Sequence, residues 1–295
     1  MPHTLQSLLT QDKAAMESTL SLDAGTARIE VQMLLQHTLG VSRAYLLAHP
    51  EQVLDEAQAA AYQTLLQRRL AGEPLAYILG EREFFGLSFR VTPATLIPRP
   101  ETELLVELAL ARIPQPLPAS PCQGRSAYVF RLLDLGTGSG AIALSIAHAR
   151  PDIEVTAVDA SPDALEVARD NAWRLNIGNT RLLHSDWFSA LTDERFNLIV
   201  SNPPYIADGD AHLAQGDLRF EPRSALASGA DGLDDIRHII AQAKKHLNPG
   251  GWLLFEHGYD QTGQARVLLD AAGFAGVFSA RDLAGIGRVS GATIP

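Results

Sequence analysis

From the start of the chain to about Leu70, apolar residues recur at helical spacing. Ala27, Val31, Leu34 and Leu35 share one face of one segment, and Leu54, Ala57, Ala61 and Leu65 one face of another. Gly40 is placed to end the earlier segment and Ser42 to cap the next, since glycine tolerates the left-handed conformation and a serine hydroxyl accepts from first-turn amides. The pattern predicts a small all-α N-terminal bundle over residues 1–75. The period changes at Gly72-Glu73-Pro74. Beyond it, the run from Glu83 to Val91 predicts two short strands around Gly86, a β-hairpin linker within residues 76–97. Pro100 opens a helix carrying Leu104, Leu105, Leu108 and Leu110, and the Pro114 to Pro121 stretch predicts a surface loop.

From Tyr128 apolar strands alternate with amphipathic helices. Strands are predicted to end at Asp134, Val158, His184, Ser201 and Glu256, with helices from Gly140, from Pro162 and over Asp235 to Leu247. Such alternation implies an α/β domain over residues 98–295, a mostly parallel, Rossmann-like sheet with helices on both faces. Ligands of such sheets bind at the carboxyl ends of the strands, so the residues there are the ones to inspect.

The first strand runs into Asp134-Leu135-Gly136-Thr137-Gly138-Ser139-Gly140-Ala141, a tight glycine turn that brings backbone close to a ligand before a helix begins. The loop alone fits two nucleotide-type ligands equally. Gly136, Gly138 and Ala141 satisfy the dinucleotide spacing, with Asp159 placed to hold a ribose diol. The other strand ends separate the two. Asp159 follows the second strand and can accept two ribose hydroxyls. Asp186 follows the third and can face an adenine amino group, while Trp187 supplies an apolar surface for the ring. Asp134 is placed to meet a cationic methionine end, directly or through water. The four together favour S-adenosylmethionine as the ligand.

After the fourth strand comes Asn202-Pro203-Pro204-Tyr205. Two adjacent prolines fix the backbone and remove two donors, leaving carbonyls without internal partners. A primary amide offers two N–H donors, and its nitrogen lone pair is delocalised into the carbonyl. The Asn202 side-chain oxygen and the Pro203 carbonyl are suited to hold both donors, with Tyr205 packed on the planar group. In-line transfer to an aligned amide requires positioning rather than a strong base, so no catalytic His, Cys or metal is expected. The nine histidines show no ligand spacing, and His184 and His257 read as structural. Arg99 and Glu103, in Ile97 to Glu103, fit a helix cap better than a pocket on spacing alone.

Composition narrows the setting. With 295 residues and 46% hydrophobic content, the chain can bury a large core. A net charge of -10 without a run of Lys or Arg argues against nucleic acid as a direct substrate. The single cysteine, Cys122, has no disulfide or CxxC partner. Asp12 and Glu17 interrupt the N-terminal apolar pattern, and no stretch reaches the roughly 18 apolar residues of a membrane span. A cytoplasmic protein without a membrane segment is expected.

These residues resemble one family, the glutamine methyltransferases of peptide chain release factors, of the HemK or PrmC type. The likeness rests on the helical start, Arg68-Arg69, Gly72 to Gly80, the Glu83-Phe84-Phe85 hairpin, Leu96 to Glu103, the glycine loop and Asn202 to Tyr205. It implies a seven-stranded methyltransferase sheet, S-adenosylmethionine as donor with S-adenosylhomocysteine as product, and methylation of the glutamine in the Gly-Gly-Gln loop of class I release factors. It places Gly136, Thr137, Gly138, Ser139, Gly140, Asp159, Trp187 and Asn202 on the donor. It places Asn202, Pro203, Pro204 and Tyr205 on the glutamine and raises Arg99 and Glu103 to pocket residues. A monomer whose N-domain grips the release factor is expected.

Two departures stand out. The Pro114 to Gln123 insertion is longer than the family usually has, and Gly285 to Gly291 lacks the Asn-Asp pair that normally precedes the Arg. A paralogous family acts on a glutamine of a large-subunit ribosomal protein with nearly the same motifs, and DNA adenine methyltransferases share the Asn-Pro-Pro-Tyr turn. Asp186-Trp187-Phe188 and the short N-domain favour the release-factor type. A dinucleotide dehydrogenase and a non-catalytic binding module are the remaining rivals.

Overall fold

The computed structural model describes residues 4–115 and 129–295, so Cys122 and most of the Pro114 to Gln123 insertion lie outside the described residues. The chain divides into two compact units, Met1–Gly80 and Glu81–Pro295.

Among the described residues the first unit holds five helices: α1 (Leu5–Leu20), α2 (Ala24–Leu39), α3 (Arg43–Ala48), α4 (Glu56–Leu70) and α5 (Leu75–Leu79). Caps set their ends. Thr4, Asp23, Ser42 and Asp55 each accept first-turn amides, and Gly40 closes α2 in the left-handed region. In α2 the expected stripe of Ala27, Val31, Leu34 and Leu35 is buried. The stripe expected in α4 is displaced by one position. A capping box between Asp55 and Gln58 starts the helix after Leu54, and rotation about its axis buries Tyr62, Leu66 and Arg69 while Ala57 and Ala61 stay exposed. Arg69 is tolerated inside because Glu30 meets its guanidinium at 2.7 and 3.1 Å.

The second unit opens with the hairpin β1 (Glu81–Phe84) and β2 (Leu87–Arg90). Its two loop residues, Phe85 and Gly86, both lie in the left-handed region at φ 52° and 77°, the mirror-image turn that matches strand twist. Glu103 accepts the Phe85 amide at 2.9 Å and Glu83 the Gly86 amide at 2.7 Å, which holds phenylalanine where glycine or asparagine is usual. Phe84 and Phe89 enter the core of this unit.

A 3-10 turn at Pro100–Thr102 leads into α6 (Glu103–Leu110). There follow β3 (Arg131–Leu135), α7 (Ala141–Ala149), β4 (Glu154–Asp159), α8 (Pro162–Arg174), β5 (Thr180–His184), β6 (Phe196–Ser201), α9 (Asp234–His246), β7 (Leu247–Glu256), α10 (Thr262–Ala271), β8 (Ala275–Arg281) and β9 (Gly287–Thr293). The strands form one seven-stranded sheet in the order β5-β4-β3-β6-β7-β9-β8, parallel except for β9, which is antiparallel to both neighbours. Gly287 to Gly291 thus pair as a strand despite the departure noted above.

Alternating side chains bury both faces. Leu132, Val155, Leu198 and Val200 pack with α6 and α7, while Leu133, Leu135, Val158 and Ile199 pack with α9 and α10. Among the described residues no helix is long and apolar enough to cross a membrane.

Asn171, wholly buried on α8, joins the hairpin to the loop after β3. Its Oδ1 accepts the Arg90 amide at 2.7 Å, and its Nδ2 donates to the carbonyls of Arg90 at 3.0 Å and Ser139 at 2.9 Å. Removing it leaves three backbone groups without these bonds, the buried Ser139 carbonyl at a cost of about 1–3 kcal/mol and the two partly buried Arg90 groups at less each. Asn171→Ala is therefore expected to lower unfolding free energy by roughly 3 kcal/mol, read as a lower urea midpoint at unchanged slope.

Candidate functional site

Strands β3 and β6 are neighbours, but the chain leaves β3 for α7 on one face and reaches α9 on the other after β6. Between these exits a cavity of about 560 Å³ opens at the carboxyl edge of the sheet, within the range of small-molecule sites. Its walls include Gly136, Thr137, Gly138, Ser139, Asp159, Asp186, Trp187, Asn202, Pro204 and Arg99. Residues from four strand ends and the Ile97 to Glu103 segment thus meet in one place.

The glycine loop folds back over β4, the amides of Gly136 and Thr137 both donating to the Val158 carbonyl, at 3.0 and 2.9 Å. Gly136 and Gly138 take φ 71° and 56°, and a side chain at Gly136 would sit 3.6 Å from the Trp187 ring. Gly140 serves packing instead: a Cβ there would come within 2.8 Å of Leu144 Cδ1, and Gly140 is not in the cavity wall.

Asp159 faces the cavity with both oxygens engaged, Oδ2 accepting the Gly138 amide and Oδ1 the Ser161 amide, each at 2.8 Å. Burial raises its pKa, opposed by these amides and by His184. Each oxygen retains a further lone pair for a ribose hydroxyl.

Trp187 sits at φ 48°, a conformation that costs a residue with a Cβ about 1–2 kcal/mol. Ser185 holds the turn, its hydroxyl donating to the Trp187 carbonyl at 2.8 Å and accepting the Ala190 amide at 3.0 Å. The strain lays the indole over Gly136 and beside Asp186.

Asp134 lies behind the loop, fully buried and outside the cavity wall. Its Oδ2 accepts the Thr137 hydroxyl at 2.7 Å, and Oδ1 has no hydrogen-bond partner among the described residues. Burial pushes its pKa up to about 7.

On the opposite wall, Asn202 donates its Nδ2–H to Thr102 Oγ1 at 3.2 Å, which leaves Oδ1 for the cavity. Among the described residues no hydrogen bond reaches the Pro203 carbonyl. Pro203 and Tyr205 do not line the wall. Tyr205 turns away, donating its hydroxyl to Glu256 at 3.2 Å, so it braces the turn from behind rather than stacking on a ligand. Arg99 does reach the cavity and pairs with the buried Glu221, whose other oxygen accepts the Ile97 amide at 3.0 Å. Glu103 is instead the carboxylate that holds the hairpin turn. His184 and His257 bond to backbone and Ser290, and among the described residues no three His, Cys, Asp or Glu side chains gather as a metal site.

Three residues around the site were not singled out from the sequence, and two of them were invisible to spacing. Glu221 is a lone acid in a loop, and Thr102 is part of a helix start. Glu256 carried a signal, being an acid at a strand end like Asp134 and Asp159.

An antiparallel strand inserted between the last two parallel positions departs from the six-stranded dinucleotide order and gives the sheet of the S-adenosylmethionine-dependent methyltransferases. The family models agree: residues 15–80 match the PrmC N-terminal domain and residues 125–229 the methyltransferase small domain. The release factor glutamine methyltransferase of Bordetella pertussis is 54% identical over 92% of this chain and 97% of that protein. Those of Burkholderia pseudomallei and Escherichia coli are 55% and 48% identical, over 93% and 89% of this chain and 93% and 91% of those proteins. The chain belongs to the release factor glutamine methyltransferase family. Among solved structures, a methyltransferase from Pyrococcus furiosus shares the fold at a TM-score of 0.51 and 21% identity, over 78% of this chain and 98% of that one.

Asp134 sets a pH dependence of stability. Its ordinary pKa is 3.8, so between pH 4 and 7 the unfolded chain ionises while the folded one keeps the proton. Stability from the neutral carboxyl is complete below pH 4 and lost as pH rises to about 7. The Tm of Asp134→Asn relative to wild type is expected to climb over that interval and level off above it, by the equivalent of a few kcal/mol in all. A pH-independent difference would refute the assignment.

Proposed function

We propose that this enzyme transfers a methyl group from S-adenosylmethionine to the side-chain amide nitrogen of the glutamine in the Gly-Gly-Gln loop of class I peptide chain release factors. The observation that carries the proposal is the polarity of the Asn202 amide. With Nδ2 committed to Thr102, Oδ1 is the acceptor left for the cavity, and among the described residues no hydrogen bond reaches the Pro203 carbonyl of the same turn.

The residues present suit the donor. Asp159 offers lone pairs to a ribose diol, Gly138 leaves open space where a side chain would project, and Trp187 provides a flat apolar wall. Bound there, the donor supplies an electrophilic methyl group on a sulfonium centre. Asn202 Oδ1 and the Pro203 carbonyl accept the two N–H groups of the substrate amide and direct its nitrogen at that methyl. Holding the pair in line replaces a random encounter with an oriented one, and the amide proton departs during or after transfer. Arg99, fixed by Glu221, presents its guanidinium at the same mouth and suits the carbonyl side of the incoming glutamine segment.

The test is transfer of labelled methyl to an unmethylated release factor, beside one with its Gly-Gly-Gln glutamine changed and beside the large-subunit ribosomal protein. Label is expected only on the unaltered release factor; label on the ribosomal protein alone would move the substrate to the paralogous type. Asn202→Ala is expected to lower kcat by at least 100-fold, on the order seen for lost transition-state donors, with donor affinity nearly unchanged. Asp159→Ala is expected to weaken donor binding instead, by roughly tenfold or more. Wild-type transfer by Asn202→Ala would refute the amide clamp.

A further inference from the structure

A second concave site lies on the same edge of the sheet as the cavity. β7 and β8 both pair antiparallel with β9 and so run the same way, and Glu256 and Ala280 both stand opposite Val289. The carboxyl end of β8 is therefore level with that of β7. Between it and the start of α10 runs a groove, with Tyr259, Thr262 and Arg266 on the helix side and Ser279, Arg281 and Gly287 on the strand side.

The chemistry of the groove runs against that of the chain. The protein has a net charge of -10, yet two arginines line the groove and, among the described residues, no acid does. Asp282, next to Arg281, is turned into the hairpin, where Oδ1 accepts the Ala284 and Ile286 amides at 3.0 and 2.9 Å and Oδ2 accepts from Arg288 at 3.1 Å. Arg281 gives one N–H to the Gly285 carbonyl at 2.6 Å, which fixes its guanidinium without neutralising it. Arg266 is exposed and makes no ion pair among the described residues. Thr262 adds a hydroxyl, and Gly287 makes room for it, since a Cβ there would collide with Thr262 Oγ1. Two guanidinium groups and a hydroxyl suit an anionic ligand such as a carboxylate.

Position decides which anion. Gln261, the residue before Thr262, donates its Nε2–H to the Tyr205 carbonyl at 3.0 Å and accepts the Gly258 amide at 2.8 Å, so the start of α10 is tied to the Asn202 to Tyr205 turn. In the order β6-β7-β9-β8 three strand spacings separate that turn from the groove, roughly 14 Å at about 4.8 Å each. An extended polypeptide covers this in about four or five residues. A protein whose glutamine enters the cavity leaves it at this edge, with the arginines in reach.

We propose that the groove between α10 and the β8–β9 hairpin binds an acidic side chain of the protein substrate, on the chain flanking its glutamine. The inference rests on the reading under the proposed function and adds a second contact to it. A charge contact this far from the reacting atoms is as strong before transfer as during it, so it lowers KM and leaves kcat alone.

The experiment compares wild type, Arg266→Glu and Arg266→Lys in the full chain with unmethylated release factor, measuring kcat, S-adenosylhomocysteine affinity, and KM at low and high salt. Arg266→Glu is expected to raise KM roughly fivefold or more at low salt, with kcat and product affinity within about twofold of wild type, and the rise to shrink at high salt as exposed charges are screened. Arg266→Lys, which keeps the charge, is expected to stay near wild type. Wild-type KM in Arg266→Glu would overturn the proposal, as would equal rises in the Glu and Lys variants. An RNA oligonucleotide that binds wild type but not Arg266→Glu, with KM for release factor unchanged, would overturn it in favour of nucleic acid. Failure of the underlying reading shows separately. If wild type labels only the ribosomal protein, the release-factor assignment falls, and the same KM comparison with that protein decides the groove.

Discussion

The site depends on the parting of β3 and β6 at the carboxyl edge of the sheet. The two strands pair in parallel up to Leu135 and Ser201, and there the Ser201 hydroxyl donates to the Leu135 carbonyl at 2.8 Å. A side chain thus takes over the last rung as the backbones separate. Past that point the chains must diverge, because α7 and α9 belong to opposite faces. The divergence opens the cavity and turns the glycine loop toward one wall and Asn202-Pro203-Pro204-Tyr205 toward the other. With the parallel register fixed, both ligand-bearing segments are set in height and direction before any side chain is considered.

Such a site is expensive to build. Asp134, Asp159, Glu221 and Glu256 are all held inside the protein with raised pKa values, burial being the largest cause in each case. A core designed for stability alone would place apolar residues at these points. What the carboxyl groups provide is direction. Asp134 fixes the Thr137 hydroxyl, Asp159 fixes the Gly138 amide, and Glu221 ties Arg99 to the Ile97 backbone. The strained Trp187 follows the same logic, since a relaxed backbone there would carry the indole away from Gly136.

Much of this could be read from the residues. The alternation of strands and helices, the loop from Gly136 to Gly140 and the polar groups at four strand ends are local signals, each written within a few positions. What stayed hidden depends on partners far along the chain. Glu103 was assigned to the pocket, but its carboxylate is drawn to Phe85, whose left-handed turn needs a strong acceptor that no local pattern announces. The α4 stripe slipped by one position because alanine at helical spacing fits either face, and the larger Tyr62 and Leu66 decide which face turns inward. Tyr205 was expected against the substrate because the sequence says nothing of a carboxyl group 51 positions later.

Glu256 shows how the strand-end rule extends. An open parallel sheet exposes one row of carboxyl ends, and a polar residue terminating an apolar strand there faces either the ligand or the residues that hold it. Asp159 and Asn202 line the cavity, whereas Asp134 and Glu256 lie one layer deeper. The two deeper acids share a feature: each has one oxygen satisfied by a hydroxyl and one without a hydrogen-bond partner among the described residues. A half-satisfied carboxyl group in a low-dielectric interior is a poor stabiliser but a strict orienting device, since any hydroxyl beside it gains most by pointing its proton inward. At Asp134 that hydroxyl belongs to Thr137 in the cavity wall, and at Glu256 to Tyr205, which braces the Asn202 to Tyr205 turn from behind. The segments on the two walls are therefore each fixed from behind by a buried carboxyl group that does not line the cavity.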